Sequence, residues 1–321
     1  MPTLPPQTQR WPADRALLLV HGIGNAHPGD YAPLVAQLQQ ALGDDARKLA
    51  IYFLYYDAIN DWFAAKTQAA VPVAALVGAI RSRVDSATLG NVVADFAGDV
   101  VWPVLLADAR QAVRAAMLQQ LQQIVTDGVQ SGFQPRDQHL SIICHSLGCF
   151  HTFETLHAAA RSTTDGLAPG TDGVRFDNVI FMASPVQLIR TVAGALGGAV
   201  PQLSSLATVS SAALTMPAER IVTGDLVQSV RRTVSITGNL DPVGGWIFRQ
   251  RADWAYMNLP GQEAFIDTEQ PTNVTNEAQL VALLQQSLRD REPPTITPSN
   301  PHDWGAYIDR HAGDLRKWLL A

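Results

Sequence analysis

The sequence predicts an α/β protein: a mostly parallel central sheet covered by helices on both faces, with helical insertions. Three observations carry that expectation. Short apolar runs of strand length recur along the chain and read as buried parallel strands. Segments whose apolar residues follow helical spacing lie between them. Stretches rich in glycine, histidine and aspartate follow directly after the runs, at the C-terminal ends where open parallel sheets gather their functional groups.

At 321 residues the chain has the length of one large domain or two ordinary ones. A compact chain of that size buries about three quarters of its unfolded surface, enough for a full core without staples. It has no internal repeat and no convincing linker, so residues 16–321 read as one domain. Residues 1–15 read as a flexible N-terminal tail, because Met1 to Trp11 is rich in Pro and Gln and has no apolar core for a signal peptide or a membrane anchor. Hydrophobic residues make up 47% and charged residues 16%, apolar-rich for a soluble protein. The net charge of −6 argues against a polyanionic partner and excludes nucleic acid. Two cysteines, Cys144 and Cys149, imply no disulfide framework and fit a reducing compartment, hence a cytoplasmic location. The longest apolar stretch of the insertion, Val71 to Ile80, is too short to span a bilayer, which leaves only peripheral membrane contact open.

In chain order, Ala16 to Val20 is the first buried run. It passes into His21-Gly22-Ile23-Gly24-Asn25. Glycines after a buried strand let the backbone come close to something. A phosphate is one option, but the third glycine of a dinucleotide site and the Gly-Lys-Ser/Thr of a P-loop are missing. An oxyanion is the other, with the N–H of Ile23 toward Ser146. Asp30 stands where it can cap the next helix, with Pro33 in its first turn. Leu34, Leu38 and Leu42 then recur every four residues, and Gly43 sits where a C-cap glycine belongs. Leu49 to Tyr56 is a second strand, rich in aromatic and apolar residues. Residues 57–133 are long for one crossover and read as a helical insertion. They end in a helix marked by Leu105, Leu106, Ala109, Val113, Met117, Leu121 and Ile124.

Leu140 to Ile143 is the next strand, discussed below with the serine that follows it. After a loop over 162–177, Val179 to Ala183 is a strand that ends in Ser184-Pro185. Thr191 to Ala218 carries no charged residue and is broken by Pro201 and several glycines. It reads as an apolar flap or cap, about 187–218, or as a buried helical cover. Arg232 to Thr237 is a further strand, running into Gly238-Asn239-Leu240-Asp241-Pro242. Thr275 or Asn276 can cap a helix carrying Leu280, Leu283, Leu284 and Leu288. A Pro-rich loop leads to His302-Asp303-Trp304-Gly305, and a last amphipathic helix closes the chain near Trp318.

The stretch Ile142-Ile143-Cys144-His145-Ser146-Leu147-Gly148-Cys149 joins a buried strand to a helical pattern through a small-residue turn with serine at its tip. That is the geometry of a nucleophile elbow. The turn lifts the hydroxyl clear of the sheet, and the helix aims its first N–H groups and its dipole at negative charge forming there. Gly148 lets the helix approach the strand. The position two before the serine, usually glycine, is Cys144. The plain alternative is an ordinary strand-to-helix turn that happens to read Ser-Leu-Gly. A neutral serine needs a base, and the base needs a carboxylate to hold its tautomer. The chain supplies serine, acid and histidine in that order, each placed after a strand or beyond the last part of the sheet.

On Val20 to Gly24, Cys144 to Gly148, Asn239 to Val243 and His302 to Tyr307, the chain resembles α/β-hydrolases of the lipase and esterase type over nearly its whole length. The resemblance implies the α/β-hydrolase fold and hydrolysis of carboxylic esters through an acyl-enzyme. By position it makes Ser146 the nucleophile, Asp241 the orienting acid and His302 the base. The oxyanion hole is implied to be the N–H groups of Ile23 and Leu147, supported by His21, Gly22, Gly24 and Gly148. It implies a small-molecule ester or lipid-like substrate and no cofactor, and the histidines and carboxylates show no metal spacing such as H-E-x-x-H. Of the eight histidines, His311 is the rival base, while His21 is expected to brace the oxyanion loop and His145 to turn away from the hydroxyl. His27 lies near the site mouth, His139 precedes the serine's strand, and His151 and His157 fall on its helix. Asp225 is the alternative acid. The cysteines are poorly placed as nucleophiles. A thioesterase, amidase or peptidase on the same fold is the first alternative, and a non-catalytic hydrolase-like binding protein the second.

Overall fold

A computed structural model describes residues 5–22, 29, 31–59, 62, 107–161, 175–184, 230–238, 262–268 and 303–320. The elements in chain order are β1 (Arg15–Val20), α1 (Ala32–Leu42), β2 (Leu49–Leu54), α2 (Ala107–Gln130), β3 (His139–His145), α3 (Leu147–Arg161), β4 (Arg175–Met182), β5 (Val230–Gly238), β6 (Gln262–Thr268), α4 (Trp304–Arg310) and α5 (Ala312–Leu320). The six strands form one sheet in the order β2-β1-β3-β4-β5-β6, and every pairing between them is parallel. The expected α/β arrangement is therefore present. From β1 the chain first builds to one side, with β2, and then crosses back to build β3 through β6 on the other. The order reverses between β1 and β3.

One alternating set of strand residues belongs to a hydrophobic core cluster. Leu17, Leu19, Ile143, Ile180, Met182, Val234 and Ile236 meet Leu38 and Leu42 of α1, Tyr307 and Ile308 of α4, and Leu315, Trp318 and Leu319 of α5. Each such side chain, taken out of water, contributes about 1.5–3 kcal/mol. The other set, Leu18, Val20, Ile142, Cys144, Val179 and Phe181, is just as buried. That is why these strands read as unbroken apolar runs rather than as alternating ones. α3 lies against β1 and β3, and α2 lies against α3 and β2. On α2 the spacing read from the sequence holds, with Ala109, Val113, Met117, Leu121 and Ile124 all buried.

Local signals fix the ends of α1. Pro33 lies in its first turn, and Gly43 closes it with φ +67° and an N–H donated to the carbonyls of Gln39 and Gln40. The residue at the N-cap position is Tyr31, which makes no side-chain capping bond, so the cap lies one residue beyond the Asp30 expected there. The closing helical stretch is two helices, broken at His311, whose backbone N–H still reaches Tyr307. The sequence reading also missed β6, whose Gln262-Glu263-Ala264-Phe265-Ile266-Asp267-Thr268 is too polar to stand out as a buried run.

The stretch expected as a flexible tail is instead tied down over residues 5–14. Trp11 is buried, and its indole N–H donates to Tyr52 Oη at 2.9 Å. Tyr52 in turn donates to Asp127 Oδ2 at 2.8 Å. Gln7 and Gln9 reach edge strand β2 with their side chains: Gln7 Oε1 accepts the Phe53 N–H at 2.8 Å and Gln9 Nε2 donates to the Ile51 carbonyl at 2.6 Å. Pro and Gln composition suggested disorder, but it carries no information about which amides the side chains can satisfy. Among the described residues, no helix is long and apolar enough to cross a membrane.

Candidate active site

Ser146 stands alone between the last residue of β3 and the first of α3. Its φ is +51°, a left-handed conformation that costs a non-glycine residue about 1–2 kcal/mol. Two backbone bonds hold it there. Its N–H donates to the Met182 carbonyl at 3.1 Å, and its own carbonyl accepts the Cys149 N–H at 2.9 Å. The residue sits at the C-terminal edge of the sheet, where β3 neighbours β1. This is the point at which the strand order reverses, and such points open the crevice in which α/β sheets bind ligands. The residue after it, Leu147, begins α3, and the first N–H groups of a helix have no acceptor within it.

Two glycines bring the neighbouring backbone against the serine. A Cβ on Gly22 would stand 2.6 Å from Ser146 Cβ and 3.1 Å from Ser146 Oγ, so the loop after β1 touches the hydroxyl-bearing side chain directly. A Cβ on Gly148 would collide with the His21 carbonyl and lie 2.5 Å from that of Val20. The strand that Gly148 lets α3 approach is thus β1, rather than the serine's own strand. Both contacts require glycine for the closeness of the backbone.

Behind Gly22 lies a buried polar cluster. His21 Nδ1 is 2.6 Å from the Gly22 carbonyl, so that nitrogen carries the proton and donates. Burial pushes the His21 pKa down to about 4, leaving the ring neutral at pH 7. Its Nε2 then lies 3.5 Å from Asp57 Oδ2, too far for a good hydrogen bond. The ring stacks on Tyr56, 4.4 Å between centroids and 8° between planes. Tyr56 in turn meets His151 of α3 edge-on at 4.9 Å. Burial holds His151 neutral as well, at about 3. Sequence reasoning ran β2 through Tyr56, whereas the strand ends at Leu54. Tyr56 and Asp57 are therefore residues of the sheet's C-terminal edge that it missed. The available signal was a Tyr-Tyr-Asp step directly after a buried run.

His145 stacks flat on Trp304, 5.4 Å and 9°, and its Nδ1 would lie 3.5 Å from a Cβ on Gly22, so it flanks the serine's neighbour instead of facing wholly away. The N-terminal end of α4, capped by Asp303, which accepts the Ala306 N–H at 3.0 Å, is thereby brought beside the residue that precedes Ser146. His139 lies at the opposite end of β3, where it contacts Asp177 Oδ2 at 2.7 Å. His311 closes α4, is buried, and has Asp314 Oδ2 3.4 Å from its Nδ1. The Cys144 and Cys149 thiols are fully buried and donate to the carbonyls of Ile180 and Met182. Burial also pushes the Cys149 thiol well above its ordinary pKa.

Of the expected site residues, Ser146, Leu147, His21, Gly22 and Gly148 are brought together. Ile23, Gly24, His27, Asp225, Asp241 and His302 lie outside the described residues, as does the uncharged stretch 191–218. Among the described residues no cluster of His, Cys, Asp and Glu is arranged to hold a metal ion. No protein-family model matches the chain, and no curated protein matches it.

Proposed function

We propose that the chain is a serine hydrolase of the α/β-hydrolase type that cleaves carboxylic esters. The observation that carries this reading is Ser146, held at positive φ on a strand-to-helix turn at the reversal point of a parallel sheet, with Gly22 against its side chain. A strained serine in that setting is what an elbow nucleophile requires. The burial of both alternating sets of strand residues is in keeping with helical layers on both faces.

In this reading His302 takes the proton of Ser146 Oγ as the oxygen attacks the ester carbonyl carbon. The tetrahedral oxyanion is received by the N–H groups of Leu147 and Ile23. Collapse breaks the bond to the leaving oxygen, which takes the proton from His302, and the acyl group stays on Ser146. A water molecule, deprotonated by His302, then repeats the sequence and releases the acid. Asp241 holds the tautomer and offsets the charge of the imidazolium. The stacking of Trp304 on His145 supports His302 as base, because Trp304 is two residues on from it. No cofactor is needed for this chemistry. The substrate in this reading is a small-molecule ester or lipid-like molecule with an apolar acyl chain.

The test is intact-mass labelling with a fluorophosphonate. The native chain should gain one adduct, and Ser146→Ala none. An unlabelled native chain, or equal labelling of the variant, would overturn the reading.

A further inference from the structure

Cys144, which stands two before the serine where glycine is usual, has a partner. Cys149 is the chain's other cysteine, and the two flank Ser146 at the end of β3 and in the first turn of α3. Both side chains are fully buried. Cys144 Sγ donates to the Ile180 carbonyl at 3.4 Å, and Cys149 Sγ donates to the Met182 carbonyl at 3.3 Å, two residues further along β4. The two thiols are also hydrogen-bonded to each other. The Met182 carbonyl takes a second bond, from the N–H of Ser146 at 3.1 Å. The Cys149 thiol and the backbone of the serine turn therefore share one anchor on β4. A single buried thiol is inert packing. Two thiols in contact can trade their hydrogens for a bond.

We propose that Cys144 and Cys149 are a redox clasp across the turn that carries Ser146: as thiols they leave the serine in working position, and as a disulfide they displace it. This inference rests on the serine-hydrolase reading above. The oxidant is hydrogen peroxide. The Cys149 thiolate, hydrogen-bonded by the Ser184 side chain, attacks one peroxide oxygen. The O–O bond breaks, leaving a sulfenic acid on Cys149 and a hydroxide that takes the proton lost by the thiol and leaves as water. The Cys144 sulfur then attacks the sulfenic sulfur, the S–O bond breaks, and the oxygen leaves with the Cys144 proton as a second water. Two thiols and one peroxide give one disulfide and two waters. The finished S–S bond is about 2.05 Å long, so it draws the two ends of the turn together and takes both S–H donors away from β4. Displacing a reacting group by about an ångström costs about 100-fold in rate.

The experiment treats the native chain, Cys144→Ala and Cys149→Ala with hydrogen peroxide, then with dithiothreitol. Intact mass and alkylation of the denatured chain count the free thiols, and kcat/KM for a p-nitrophenyl ester is taken per fluorophosphonate-labelled site, which removes any unfolded fraction. Peroxide should lower the native mass by about 2 Da, leave no thiol to alkylate and cut kcat/KM about 100-fold. Dithiothreitol should reverse all three, which separates the clasp from methionine oxidation, since sulfoxides survive that reagent. Each alanine variant should turn over ester before oxidation and show no loss that dithiothreitol reverses. Where one variant fails to fold, the other serves as the control. Thiols that stay free or only gain oxygen would overturn the inference, as would a disulfide that leaves turnover unmoved, or a variant that loses activity reversibly like the native chain. A reduced native chain that neither labels nor turns over ester would instead overturn the hydrolase reading, and the clasp with it, even where the disulfide forms.

Discussion

The turns at Ser146 and Ala183 end adjacent parallel strands with nearly the same positive φ. Ser146 has φ +51° and donates its N–H across to Met182; Ala183 has φ +52° and donates its N–H across to Ile236. Each turn binds the end of the next strand over, like steps of one stair. Their surroundings differ. At Ser146 two glycines admit the backbone of the neighbouring strand, and a buried tyrosine and histidine hold that backbone in place. Ala183 offers a methyl group, packed into the core. Left-handed backbone at a strand end is therefore not in itself the signature of a site. It is a way of turning the chain, and the chemistry comes from what is gathered against the turn.

The largest effect expected is on the hydroxyl. Ser146→Ala should lower ester turnover by about 10⁴-fold or more while the melting temperature barely moves, since the residue leaves no cavity in the core. Adding Ala183→Ser to that variant moves a hydroxyl onto the same backbone one strand away. It should restore neither turnover nor probe labelling. Recovery of either would mean that the turn alone suffices.

The glycines come next. Gly148→Ala drives a methyl group into backbone that cannot move aside, and should cost about 3 kcal/mol or more in a denaturant titration. Gly22→Ala presses on Ser146 instead. It should spare stability more and lower kcat/KM about 100-fold, as misplacing a reacting group by an ångström does. Equal, mild effects on both quantities would show that the crowding at the serine turn is incidental.

A smaller effect concerns pH. His21 titrates at about 4 in the folded chain and near 6.5 when unfolded, and His151 at about 3. Between those values the unfolded chain binds the proton and the folded chain does not, so stability is full above pH 6.5 and falls as the pH drops. Toward pH 4 the loss from His21 should reach about 3 kcal/mol. Denaturant titrations from pH 7 to 4 should show this slope, and His21→Asn should reduce it by about half, because His151 contributes a similar share. A slope that is unchanged in the variant would place the acid sensitivity elsewhere.

The smallest effect is expected at Ala183→Gly. Relief of the left-handed backbone, about 1–2 kcal/mol, is offset by the lost methyl burial, about 0.8 kcal/mol, and by the freer unfolded chain, about 0.5–1 kcal/mol. Stability should stay within about 1 kcal/mol and activity should be unchanged. A loss of activity here would extend the site onto β4.

The strands built from short-range apolar runs were legible: β1, β2, β3, β4 and β5 all lie where the sequence put them, within a few residues. So were α1, bounded by Pro33 and Gly43, and the serine turn. What was hidden depends on partners distant in sequence. The reversal between β1 and β3 is a property of strand order, which no local window contains. Tyr56 looked like the end of an apolar run until its hydroxyl was seen against carbonyls 34 and 35 residues away in sequence. His311 looked continuous with a helix because a single-residue break leaves the apolar period almost undisturbed.

The two glutamines that lie along β2 bear on how this sheet ends. An outer strand offers a row of unpaired amides to any extended chain that comes near, including another copy of itself. Adding one more strand would only carry that row outward. Side-chain amides behave differently, because Gln7 and Gln9 take up a donor and an acceptor of the row without presenting a fresh ladder behind them. Residues 7–9 thus act as a selvedge at Ile51 and Phe53, finishing that part of a woven edge. Trimming the chain back to Trp11 would leave the core intact and the cloth free to join.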